Sequence, residues 1–250
     1  ASRKIVPQPM YWALCAHSVA TVTVGFFFIS NTGSLYRFAG ATESEQSWAR
    51  DSVAAGIGVF AGVAFFAGVF MRAFGPVRGI TVAAICNATC AAVFTAMFIT
   101  VLPGSAADAA TAAGKGLTGY QHAALLVGYA AVLLARILGF AVLNLGAPML
   151  FAEHPMGVGL ALGGALSVGG GTSAGVGRAL SNLVHSDPHR AYPPVIAGLG
   201  IFFVVAEVLF IVAVRRGHRE ADPTPVAASL ERSLAEHDVA DDEDIDARIP

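Results

Sequence analysis

Two charged residues stand inside long apolar runs, where an ionised side chain needs a physical reason to be. Arg136 is flanked by Leu133-Leu134-Ala135 and Ile137-Leu138, and Glu207 sits among Phe202, Phe203, Val204, Val205, Val208 and Leu209. A charge near the middle of a bilayer is unfavourable by about 2.5–3.5 kcal/mol on insertion scales, so such residues serve as proton relays, ion sites or paired locks. A carboxyl whose protonation is set by a nearby guanidinium suits proton or ion coupling. The plainer counterparts are a static salt bridge between two helices, or Arg136 at an interface. Each residue lies within about one turn of the centre of its run, so the two are expected to face one another.

Other reactive residue types form no complete constellation. Cys86 and Cys90 share a helix face, but an i,i+4 pair is poorly placed for a disulfide and nothing nearby completes a zinc set; with Cys15 they read as small buried apolar residues. His17 in the first apolar run and His122 at the start of the fourth fall at different depths and are not a haem pair. Lys4 and Lys115 lie outside the runs, so no Schiff-base lysine is available. Gly171-Thr172-Ser173-Ala174-Gly175 lacks a placed histidine base, and no phosphate-binding Gly-Lys-Ser/Thr ending follows the glycines. Asn87, Thr89, Thr95 and Asn144 read as interhelical hydrogen-bonders. The sequence therefore calls for no cofactor or metal and points away from an enzyme.

The elements that must hold Arg136 and Glu207 are long. Apolar runs cover residues 10–30, 51–74, 80–102, 120–150, 156–177 and 193–214, each at or near the length that crosses a bilayer as a helix. The first ends in Phe26-Phe27-Phe28 and is read as a retained membrane helix rather than a signal peptide. Residues 31–50 read as a polar loop, with Asp51 as the N-cap of the second helix. Gly75-Pro76 and Pro103-Gly104 punctuate the next two helices, and Pro148 closes the fourth. The expected fold is an all-α, polytopic integral membrane bundle of about six helices over residues 1–216. A polar, acidic tail, 217–250, is disordered or binds a partner.

Composition agrees. Of 250 residues, 55% are hydrophobic and 13% charged, about half the charge of an ordinary soluble domain. Ten of the 17 acids fall at 220–250, leaving a body of about +6. That balance predicts positive loops or anionic lipid as the body's counterpart, not nucleic acid. With six spans, Arg3, Lys4, Arg72, Arg78, Arg215, Arg216 and Arg219 share one side, against Arg37, Arg50, Lys115, Arg178 and Arg190. This bias places both termini on the cytoplasmic-equivalent side of a plasma or organelle membrane. If the glycine-rich segment 156–177 is re-entrant, the count becomes five and the tail crosses over.

A glycine-rich helix (Gly157, Gly159, Gly169, Gly171, Gly175, Gly177), a polar loop over 181–190 and an apolar helix carrying Glu207 resemble the proteolipid c-subunit hairpin of rotary ATPases. The resemblance covers residues 156–214, about a quarter of the chain, with four helices preceding it and a longer loop than that family's. It implies close packing through the glycines and ion binding at Glu207. Small-xxx-small spacings such as Gly159–Gly163 also suit plain helix packing. The expected function is a transporter or ion- or proton-translocating component, or a subunit of an energy-transducing membrane complex. The alternative is a structural or assembly subunit whose tail binds a partner. Partners are the bilayer and other membrane subunits, or further copies of the chain.

Overall fold

Backbone groups in hydrocarbon must be satisfied within their own segment, and the sequence meets that demand with helices. A computed structural model describes residues 8–105, 108, 111–151 and 155–221, and all regular structure among them is helical. In order these are α1 (Pro9–Ser30), α2 (Thr32–Phe38), α3 (Glu43–Phe74), α4 (Pro76–Val101), α5 (Gly119–Ala141), a π-helical turn (Val142–Gly146), α6 (Ala147–Leu150), α7 (Pro155–Ser186) and α8 (Pro188–Ala221). Four stretches are long and apolar enough to cross a membrane: Pro9–Ser30, Val77–Val101, Gly119–Gly146 and Pro188–Gly217. α8 takes in the first residues of the expected tail, 217–221, and the acidic stretch beyond them lies outside the described residues.

The polar segment before the second long helix is itself mostly helical. α2 occupies part of it, and α3 starts at Glu43 rather than at Asp51. The cause is a capping box: Thr42 accepts from the Glu45 backbone N–H, and the Glu45 carboxylate accepts from the Thr42 N–H at 2.7 Å. α5 opens the same way, with Thr118 and Gln121. The two caps are joined. Glu45 accepts from the Leu117 N–H at 3.2 Å, Gln121 donates to the Ala39 carbonyl at 3.4 Å, and Trp48 lies against His122 with ring centroids 4.9 Å apart. Desolvation opposes the charge on Glu45, but hydrogen bonds from Thr42 and Leu117 outweigh it and hold the carboxyl below its ordinary range. At the opposite end Gly75, with φ +79°, turns the chain sharply into α4.

The apolar runs also stop short of the true helix ends further on. α7 continues through the polar residues 181–186, and α8 begins at Pro188, where Pro193 and Pro194 fall in its first turns. As the sixth and seventh residues of α8 they lie just past its first turn, and each removes one i→i−4 hydrogen bond, leaving the His189 and Arg190 carbonyls without that partner.

α1 is the hub, packed against α5, α7 and α8, while α4 fills the space between α5 and α8. α8 shows the pattern expected in lipid: Phe203, Ala206, Glu207, Phe210 and Val214 are buried, while Ile201, Phe202, Val205, Val208, Leu209 and Val212 are exposed. Trp12 is exposed near one end of the bundle, and Trp48 and Tyr120 near the other, where membrane–water interfaces favour aromatic rings. The core falls into two clusters. One is aromatic, with Phe28, Phe94, Phe98, Tyr36, Tyr129 and Tyr192; the other is built largely of small residues, including Ala13, Cys15, Ala83, Ala84, Ala141 and Ala165.

Candidate functional site

A polar cluster joins the four apolar stretches. His17 of α1 and Glu207 of α8 meet with Nδ1 and Oε1 2.9 Å apart, both at 0% exposure. Asn87 of α4, also fully buried, donates through Nδ2 to Glu207 Oε1 at 3.1 Å. His17 Nε2 lies 3.2 Å from the Gly139 carbonyl of α5. At 1.5 Å per residue, His17 is about 12 Å from Pro9, Asn87 about 15 Å from Val77, Gly139 about 10 Å from Gly146 and Glu207 about 15 Å from Gly217. Those four ends lie together only if neighbouring helices alternate in direction, which places the cluster at one depth.

Local sequence explains the close approach. A Cβ on Gly139 would lie 2.5 Å from the Thr21 hydroxyl oxygen, so only glycine brings α5 near enough to α1 for its carbonyl to reach His17. The π-helical turn begins three residues later, and such turns recur at functional sites. Phe210, one turn beyond Glu207, stacks on the imidazole with centroids 4.9 Å apart.

The hydrogen-bond roles follow from chemistry. A carbonyl oxygen only accepts, so His17 Nε2 carries a hydrogen. Nδ1 and Oε1 at 2.9 Å can then attract only with one more proton between them, as an imidazolium–carboxylate pair or as neutral imidazole with a carboxylic acid. Either form is neutral as a unit, the state that low-dielectric surroundings favour. Glu207 Oε2 and Asn87 Oδ1 are buried acceptors with no hydrogen-bond partner among the described residues.

Of the two residues singled out by charge, Glu207 is in the cluster and Arg136 is not. Among the described residues the ion pairs are His17–Glu207 and the exposed Arg190–Asp187, so no Arg136–Glu207 bridge forms. Arg136 is half-buried, with its stem against Gly25 and its guanidinium carbon 5.8 Å from the Phe140 ring centroid. His17 is the residue that sequence reasoning missed. In the sequence it is a lone histidine that suggests at most a haem ligand, although its depth in α1 matches that of Glu207 in α8. Asn87 does hydrogen-bond between helices. Cys15 and Cys90 are buried, Cys86 is exposed and all three are unpaired. Among the described residues no group of three or more His, Cys, Asp or Glu is placed to hold a metal.

No protein-family model matches the chain, and no curated protein or solved structure matches it either.

Proposed function

We propose that the chain is a proton- or ion-translocating membrane component, alone or as a subunit of an energy-transducing complex, with the His17–Glu207 pair as its coupling site. The observation that carries this reading is the fully buried 2.9 Å contact between two titratable groups, mid-way along apolar helices. One proton keeps the pair neutral. Moving it on leaves two facing lone pairs, and adding a second creates a net charge, so each step favours a change in packing or hydration around the pair. Asn87 and the Gly139 carbonyl hold the partners in line through either step. Glu207 Oε2 is the open position where an arriving proton would land. In this reading Glu207 keeps the role implied by the resemblance to the c-subunit hairpin, with a histidine from α1 as its partner.

The proposed topology has six spans. α3 and α7, each of 32 residues, are about 48 Å long and can join the four apolar stretches as membrane helices. An even count with Arg78, Arg215 and Arg216 at one end puts both termini on the cytoplasmic-equivalent side. A second reading, a structural subunit, takes the polar cluster as a static lock between four helices.

Proton flux and carboxyl titration separate the two. In proteoliposomes under an imposed membrane potential, the chain should pass protons, and Glu207→Gln should abolish the flux. Glutamine can still donate to His17 but has no exchangeable acid proton. Infrared titration in bilayers should show a carboxyl band, assigned by its loss in Glu207→Gln, that changes with pH. A pH-invariant band together with flux no greater than that of empty vesicles defeats the coupling reading and leaves the lock.

A further inference from the structure

α3 and α7 sit at separate edges of the bundle. α3 packs on α2, α4 and α5, and α7 on α1 and α8, so that α1 and α5, packed on each other, stand between them. Each turns one side inward: Ala49 and Val53 of α3 are buried, as are Ala161, Ala165 and Gly169 of α7. The opposite sides carry small residues on a regular line. Asp51, Ala55, Gly58 and Gly62 follow one another along α3 in steps of four, three and four residues, and all are exposed. Ser167, Gly171, Ala174 and Arg178 do the same along α7, in the same steps. That spacing keeps residues on the seam along which two helices pack. A Cβ at Gly58, Gly62 or Gly171 would meet nothing within 4 Å, so packing inside this bundle does not call for glycine there.

The two lines fit each other. α2 touches both helices at one end of the bundle: a Cβ on Gly33 would lie 3.5 Å from Arg50 Cδ of α3, and Ser34 Oγ lies 3.2 Å from His185 Nε2 of α7. α3 leaves that end and α7 arrives at it. Two copies embedded in the same direction therefore bring α3 of one and α7 of the next together antiparallel. Asp51 follows Arg50 directly, and Arg178 lies three residues inward of Ser181, which accepts from Asn31 at 2.9 Å, so the two charges match in depth to within about one turn. Setting them opposite each other puts Ala55 against Ala174, Gly58 against Gly171 and Gly62 against Ser167. Small residues meet small residues at every step, which lets two backbones approach closely. Charge also selects between contacts. A two-fold pairing of α7 with α7 would set Arg178 against its own copy, and α3 with α3 would do the same for Asp51. We infer that the chain binds further copies of itself head to tail, α3 of one against α7 of the next, in the register set by Asp51 and Arg178. The inference rests on the proposed embedding of α3 and α7 as membrane helices and on nothing at the His17–Glu207 pair.

Cross-linking of the full chain in phosphatidylcholine vesicles tests it, in a Cys86→Ser background. Copies bearing Ala55→Cys, mixed with copies bearing Ala174→Cys, should join on oxidation about tenfold more than either kind alone, the factor that one good contact between membrane helices gives. Gly62→Cys mixed with Ala174→Cys, about 10 Å out of register, should give no more than the single kinds. Adding Asp51→Arg to the Ala55→Cys copy should lower the yield, and adding Arg178→Asp to its partner should restore it. Equal yields in and out of register overturn the inference, as does a dominant link between like copies or a loss that Arg178→Asp fails to reverse. Photobleaching of the chain without any of these substitutions, dye-labelled at its C-terminus, should show several copies per particle; single copies at every protein density overturn it too. Quenching of a dye on Val59→Cys by brominated lipid tails reports separately whether α3 is embedded. Quenching without register-specific links sinks the docking and leaves the topology, whereas no quenching sinks both. A proton flux that fails while the links form would sink the coupling reading and leave this one standing.

Discussion

His17 and Glu207 are each other's solvent, and that dictates how substitutions behave. Replacing either by leucine strands the other as a buried polar group, with an expected loss of about 3–5 kcal/mol. Replacing both should be milder than the sum, because the bundle then holds apolar side chains where a pair had been. Denaturation of the two single variants and the double variant in detergent checks this; additive losses would mean that the pair does not interact. Gly139→Ala should be destabilising by about 1–3 kcal/mol through overpacking against Thr21, and the loss should shrink in a Thr21→Ala background. At this scale the sequence revealed charge but not partnership. Arg136 and Glu207 stand out because each interrupts an apolar run. His17 does not, since neutral imidazole is ordinary in a buried helix, and Gly139 carries no polar side chain to notice.

The long helices were legible from the apolar runs alone, whereas their ends were not. Apolar runs mark hydrocarbon depth, but α3, α7 and α8 continue into polar sequence for as long as caps and packing support them. The Thr42–Glu45 capping box has the Ser/Thr-x-x-Glu spacing, yet a search for apolar runs passes over it. Thr42→Ala should lower stability by about 1 kcal/mol and loosen the loop carrying Leu117, as amide exchange would report. The Glu45 carboxyl is held below its ordinary range in the folded chain. Its contribution is therefore present above the unfolded carboxylate pKa and is lost as pH falls through the lower folded value. Acid titration should release amide protection at Leu117 in that window and leave Glu45→Gln insensitive; protection that is unchanged below it would show that the carboxylate does not hold the loop.

For the molecule as a whole, the side occupied by each terminus decides the span count. Single cysteines at residues 2 and 245, in a background without Cys86, should be labelled from the same side of the membrane; opposite-side labelling removes the even count. The tail carries ten acids beside a basic body, and the expectation is that it docks at the end of the bundle where α3 turns into α4, the stretch that carries Arg72 and Arg78, or on a neighbouring basic face. Salt should release it, since exposed charges are screened beyond about 8 Å at physiological ionic strength. Deleting 221–250 without any change in copurifying partners would make it a mere appendage. The polar layer between the two core clusters has one more consequence, for assembly. If α8 slid by a turn, Phe203 or Ile211 would face the imidazole, and Asn87 and the displaced carboxylate would both end in hydrocarbon. Greasy helices otherwise slip past one another at little penalty, so this layer works as a keyed lock: misaligned bundles are rejected more strongly than the correct one is rewarded, and the four helices settle in a single register.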